Sequence, residues 1–165
     1  MSALSFNPIT PKPLNEQAMK AALEKELGAT GEFMRRDFEK TTKSWKHKPV
    51  FEVLVEAGPP AVVLVTTDDK NYSYVDLGTE EHIILPVKAK VLKFSSGYKA
   101  KTTPGVIGSS AGGPFGADVF SRGVIHPGNA PRNFSKEIAK EWKPKFKNRM
   151  QTAMGRAAQA SGHAL

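Results

Sequence analysis

The chain has 165 residues, 39% hydrophobic and 24% charged, and its 24 basic and 16 acidic side chains leave a net charge of +8. That length suits one domain with a core of its own and is short for two, and the composition argues against wholesale disorder. The absence of cysteine excludes disulfide staples, thiolate zinc sites and a thiol nucleophile.

Residues 1–14 carry Pro8, Pro11 and Pro13 and read as an extended arm. Met1–Phe6 has neither the basic nor the apolar region of a secretory signal, and the longest apolar runs, Val53–Val55 and Ala61–Val65, are too short to span a membrane. A soluble protein made inside a cell is expected. Asn15 is a candidate N-cap. Met19, Leu23 and Leu27 recur at i, i+4, and Met34 and Phe38 resume the stripe beyond Gly28 and Gly31. The spacing predicts one amphipathic helix over 16–41, weakened at the two glycines. Lys48-Pro49 closes this region, since a residue before proline avoids helical angles.

Phe51, Val53 and Val55 alternate with Glu52, Leu54 and Glu56, the pattern of a strand with one buried face. Gly58-Pro59-Pro60 turns the chain into a second, β-branched strand over 61–67, and Asp68-Asp69-Lys70-Asn71 is a further turn. Strands are predicted at 82–85 and 91–94, and a fifth over 119–125 pairs with the one ending at Phe94. Ser95–Asp118, with six glycines and two prolines, then becomes a long flexible hairpin tip. Ser135 can cap a final helix, whose stripe is Ile138, Trp142, Phe146 and Met150, widened by Ala139, Ala153 and Ala157. Pro144 is predicted to kink or split it, and 158–165 to fray. The expected fold is a single α+β domain over 15–157: a twisted antiparallel sheet of about five strands, covered by the first and last helices.

The chemistry on offer is sparse. His82 and His126 fall at strand edges near Asp76 and Asp118, but neither they nor His47 and His163 show metal-ligand spacing. Imidazoles bonded to backbone at turns are the better reading. Gly105–Gly113 lacks the Lys-Ser/Thr pair of a phosphate loop, and no serine sits in a nucleophile elbow. Glu80-Glu81 and Asp68-Asp69 are consecutive, so their side chains diverge. No catalytic, cofactor-binding or metal-ligating residue is named, and a non-enzyme is expected.

Two corners stand out instead. In Asp76-Leu77-Gly78-Thr79, Gly78 allows positive φ, and Asp76 and Thr79 can bond neighbouring amides around the reversal. Pro127-Gly128 makes a second turn, linked through Asn129 and Arg132 to the helix start. Both are expected at one end of the sheet, fixing it in register with the last helix. From Arg132 onward eight basic residues face only Glu137 and Glu141. Lys136, Lys140, Lys143 and Lys147 thereby mark a face for DNA or an acidic partner, or simply a solvated surface.

The runs Tyr74-Val75-Asp76-Leu77-Gly78-Thr79-Glu80-Glu81-His82-Ile83-Ile84-Leu85-Pro86 and Val124-Ile125-His126-Pro127-Gly128-Asn129-Ala130-Pro131-Arg132-Asn133-Phe134 together resemble the paired signature of bacteriophage tail-completion (head–tail joining) proteins. The residues carrying it are Gly78, Thr79, His82, His126, Pro127, Gly128, Arg132 and Phe134, and the element order agrees from about Glu16 to Met154. Asn133-Phe134 departs from the usual Arg-Pro-Phe ending, and Ser95–Asp118 is longer than in compact versions. The resemblance implies a structural part of a long-tailed phage that forms rings of identical subunits at the neck. Its partners would be other tail, neck or connector proteins, with no cofactor and no membrane. Two rivals remain: a basic nucleic-acid-binding module of a mobile element, and a small hydrolase or toxin using His82 or His126 as a base. Trp142 and Phe146 favour the first rival little, because they lie on the apolar stripe rather than free for base stacking.

Overall fold

The structure, a computed structural model, describes residues 12–56 and 58–163, so most of the expected N-terminal arm lies outside it. The class is α+β. Its elements run α1 (Glu16–Thr41), β1 (Glu52–Glu56), β2 (Val62–Thr66), α2 (Lys70–Leu77), β3 (His82–Ile84), β4 (Leu92–Lys99), β5 (Gly113–Ser121), β6 (Val124–His126) and α3 (Phe134–Ala160).

The strands do not merge into one sheet. They form three two-stranded antiparallel ribbons, β1–β2, β3–β6 and β4–β5, which corrects the expected five-stranded sheet. The break lies at Ser121–Gly123. There the Ser121 hydroxyl donates to the Gly123 carbonyl at 2.6 Å and accepts its amide at 3.3 Å, a local turn in competition with strand pairing. The apolar run 119–125 is thereby divided: β5 stays with β4, Phe94 opposite Val119, while β6 crosses to β3. Both flanks of the segment expected as a mobile tip, 95–99 and 113–118, are ladder, leaving residues 100–112 as the connection between β4 and β5.

α1 starts where its cap predicts, with Asn15 Oδ1 accepting the Ala18 amide at 3.0 Å. Its glycines do not weaken it. Gly31 is buried, and a Cβ there would come within 2.3 Å of Val53 Cγ1; the missing side chain is what lets β1–β2 lie against the helix. α3 runs antiparallel to α1. Arg149 bridges Glu26 at 2.5 Å and bonds Thr30, while the Trp142 indole donates to Asp37 at 2.8 Å. Pro144 leaves α3 unbroken, with its ring on the exposed side, where water can replace the one bond it removes. The helix also continues to Ala160 rather than fraying at 158. Ser161 then bonds back to Ala157 and accepts the Asn15 amide at 3.2 Å, tying the two helix ends together.

α2 was not expected. Asp69 lies in the segment read as a turn, and its Oδ1 instead caps this helix by accepting the Tyr72 amide at 2.9 Å. Tyr72 then enters the core with Phe38, Phe51, Phe134, Ile138 and Trp142, its ring edge-on to Phe51 at 5.0 Å. This aromatic core lies between the two long helices, α2 and the start of β1. Neither β3–β6 nor β4–β5 packs substantially on any helix or on another ribbon.

Candidate functional site

The two singled-out runs, some fifty residues apart, fold onto each other as one clamp. Thr79 and Asn129 exchange both backbone hydrogen bonds at 3.0 Å, and Thr79 Oγ1 accepts the Asn129 amide as well. Next along, His82 lies opposite His126 and Ile83 opposite Ile125. Both corner glycines have positive φ, +82° at Gly78 and +83° at Gly128. Neither has room for a side chain: a Cβ would come within 2.7 Å of the Asn129 carbonyl at Gly78 and 2.1 Å of the Thr79 carbonyl at Gly128.

The last helix is anchored through the same clamp. Ser135 was expected to cap it, but the N-cap position is Asn133, in the left-handed region at φ 56° with no side-chain bond. The capping acceptor comes from the first run. Asp76 Oδ1 accepts the Ser135 amide at 3.2 Å, and Oδ2 accepts its hydroxyl. Asp76 and Thr79 therefore reach across the molecule, not to the neighbouring amides expected. The carboxylate at the helix N-terminus adds a favourable interaction with the helix dipole. The Arg132 amide is shared by the Val75 and Asp76 carbonyls at 3.1 Å, and the Asn133 amide meets Asp76 O at 2.9 Å. Phe134 is fully buried behind them, while Pro127 is exposed.

The two imidazoles stack with centroids 5.1 Å apart. His82 Nδ1 donates to the Glu80 carbonyl at 2.8 Å, whereas His126 Nδ1 accepts the Gly128 amide at 3.1 Å, so the rings carry opposite tautomers. The carboxylates expected near them are engaged elsewhere, Asp76 with Ser135 and Asp118 with Lys93 at 2.8 Å. Among the described residues no three His, Asp or Glu side chains converge as a metal site would require.

Two further features border the clamp. A cleft of about 340 Å³ is lined by Trp45, Tyr98, Lys101, Thr102, His126 and Arg132 with a few small neighbours, and no carboxylate is among them. Of these, only His126 and Arg132 were legible beforehand. Lys101 and Thr102 sat in what read as a mobile loop, and Trp45 in an unpatterned stretch. On α3, Lys136, Lys140, Lys143 and Lys147 are all exposed and spaced along one face; none of the four is in an ion pair among the described residues. Trp142 is buried and Phe146 half-buried, so neither offers a free face to a base. No described helix is long and apolar enough to cross a membrane. Comparison with protein-family models, with curated proteins and with solved structures returned no match.

Proposed function

We propose that this chain is a non-enzymatic virion assembly protein, a subunit of the neck or tail-completion ring that joins tail to head in a long-tailed phage. One observation carries the reading: matched apolar side chains stand open on ribbon faces that no helix covers. Leu54 faces Leu64 across β1–β2, and Ile83 faces Ile125 across β3–β6 with both 68% exposed. β4–β5 carries exposed Phe94, Tyr98, Phe115 and Phe120. An isolated two-stranded ribbon is marginal in water, and apolar patches of this kind mark contact surfaces. Copies arranged head to tail in a closed ring would cover them. The paired signature supports the same reading, since its two halves make both the β3–β6 ribbon and the clamp that holds the start of the last helix. The protein would reside in the virion, and in the host cytoplasm before assembly, with neck, tail or connector proteins as neighbours.

The test is electron microscopy of lysates from a phage whose copy of this gene is disrupted. Filled heads beside separate tails, or tails of abnormal length, are the expected outcome; normal infectious particles would overturn the proposal. The lysine face of α3 favours a second reading, contact with DNA without base readout. Affinity for duplex DNA would then fall steeply with salt and ignore sequence, and weak binding at every salt concentration would remove it.

A further inference from the structure

We infer that the cleft beside the clamp is a binding site for a carboxylate carried on an acidic peptide segment of a partner protein, whatever larger assembly the chain joins. Arg132 is the reason. Three arginines are half-buried among those in helices or in the clamp. Arg35 pairs with Glu32 and Glu39, and Arg149 with Glu26, while Arg132 has no carboxylate partner among the described residues. A partly desolvated cation without a counter-ion is costly, and this one is held in place with care. Its backbone amide is fixed on the end of α2, its carbonyl accepts the Gly105 amide at 3.1 Å, and its Nε donates to Thr102 Oγ1 at 3.2 Å. Nη1 and Nη2 remain without a hydrogen-bond partner among the described residues, the fork that grips a carboxylate through two parallel bonds.

The rest of the cleft agrees. Lys101 supplies a second cation, with Nζ held at 3.2 Å from the Ser44 carbonyl and further protons to give. His126 also lines the wall, and because its Nδ1 accepts the Gly128 amide, its Nε2 carries the proton. Trp45 and the largely exposed Tyr98 add aromatic surface, suited to an apolar side chain beside the acid. A concave space of about 340 Å³ fits one or two side chains. It does not suit a duplex, whose phosphates are met by cations spread over an open surface.

The test titrates the isotope-labelled full chain with acetyl-Ala-Phe-Glu-Ala-amide, with the same peptide carrying Gln for Glu, and with inorganic phosphate. The Glu peptide is expected to shift the amide signals of Thr102 and Arg132 and the indole signal of Trp45 saturably. The Gln peptide should bind about tenfold more weakly, the worth of a charge-assisted hydrogen bond. Arg132→Gln and Lys101→Gln should each weaken the Glu peptide by about the same factor. Lys101→Gln keeps the test valid if Arg132→Gln unfolds, since only one bond to Ser44 is lost with it. Absence of cleft shifts with the Glu peptide, equal binding of the Gln peptide, or full affinity in a folded Lys101→Gln variant would each overturn the site. Phosphate binding more tightly than the peptide would overturn the carboxylate assignment.

Discussion

Asp76, at the end of a short helix, accepts both the amide and the hydroxyl of Ser135 in the first turn of the last helix, 59 residues further along the chain. The carboxylate is buried and so spans two elements that share no sheet. Asp76→Ala should cost about 1–3 kcal/mol, the range for orphaning buried donors and losing a cap. Thermal melting checks this, and Ser135→Ala should cost less because it leaves the amide in place.

The corner glycines and the glycine in mid-α1 should respond to alanine with opposite sign. At Gly128 the left-handed φ and the Thr79 carbonyl both resist a Cβ, and a loss of about 1–3 kcal/mol or more is expected. Gly28 lies in α1 with nothing within 4 Å of a built Cβ, so Gly28→Ala should stabilise by roughly 0.5–1 kcal/mol. Denaturant midpoints of the two variants decide it.

Stability should fall at both ends of the pH scale. For Asp37, burial raises its pKa, but hydrogen bonds from Lys40 and the Trp142 indole outweigh it and hold the carboxyl below its ordinary value. Its contribution is therefore present above the unfolded value of about 3.9 and is lost as pH drops through the lower folded value. Burial pushes the Tyr72 phenol up. The unfolded chain then ionises first, and stability declines as pH rises past about 10. Urea midpoints from pH 2 to 11 should show both flanks. Asp37→Asn should flatten the acid one and Tyr72→Phe the alkaline one.

Replacing Lys136, Lys140, Lys143 and Lys147 together by glutamine should leave the melt nearly unchanged, within about 0.5 kcal/mol per site, because all four are exposed and outside the described ion pairs. The variant should elute from a heparin column at distinctly lower salt. An unchanged elution position would show that this face does not govern the binding of polyanions.

Ile83→Thr with Ile125→Thr removes a matched pair from the outer face of β3–β6. Since both are exposed, the isolated subunit should keep its stability to within about 1 kcal/mol. If the chain is the virion subunit proposed above, its incorporation into particles should drop sharply, read as loss of the subunit from purified virions. Normal incorporation would exclude this ribbon as a contact surface.

How much of this was legible beforehand depends on whether the deciding contact was local. α1 appeared with the bounds its stripe and Asn15 predict, and β1 and β2 within a residue or two, because caps, turns and alternation act over a few positions. The two corners were legible as turns, and Gly78 as a positive-φ site. What the sequence concealed was long-range. Asp76 looks like a residue bonding its own turn, and only the folded chain brings Ser135 to it. α2 was hidden because Asp68-Asp69 marks a turn and a helix cap equally well, and what tips the balance is burial of Tyr72 against Phe51. The single sheet failed for a similar reason: strand patterns give the faces of each strand, not its partner, and the Ser121–Gly123 turn sends β6 elsewhere. The carboxylate-free cleft left no local signal, as its lining comes from four separate stretches.

The strands of the β4–β5 ribbon, the longer with nine residues and up to roughly 30 Å long, pack substantially on no helix, and the connection at their end is bonded to the body through Lys101, Gly105 and Ser109. The pleat of such a ribbon makes its length discrete. Lengthening it by one residue per strand would exchange the side chains of its two faces, whereas two per strand would restore them and add about 7 Å. If copies of the chain meet on this ribbon as proposed above, their spacing can change only in steps, and variants differing by an even number of residues per strand would be the ones that still assemble.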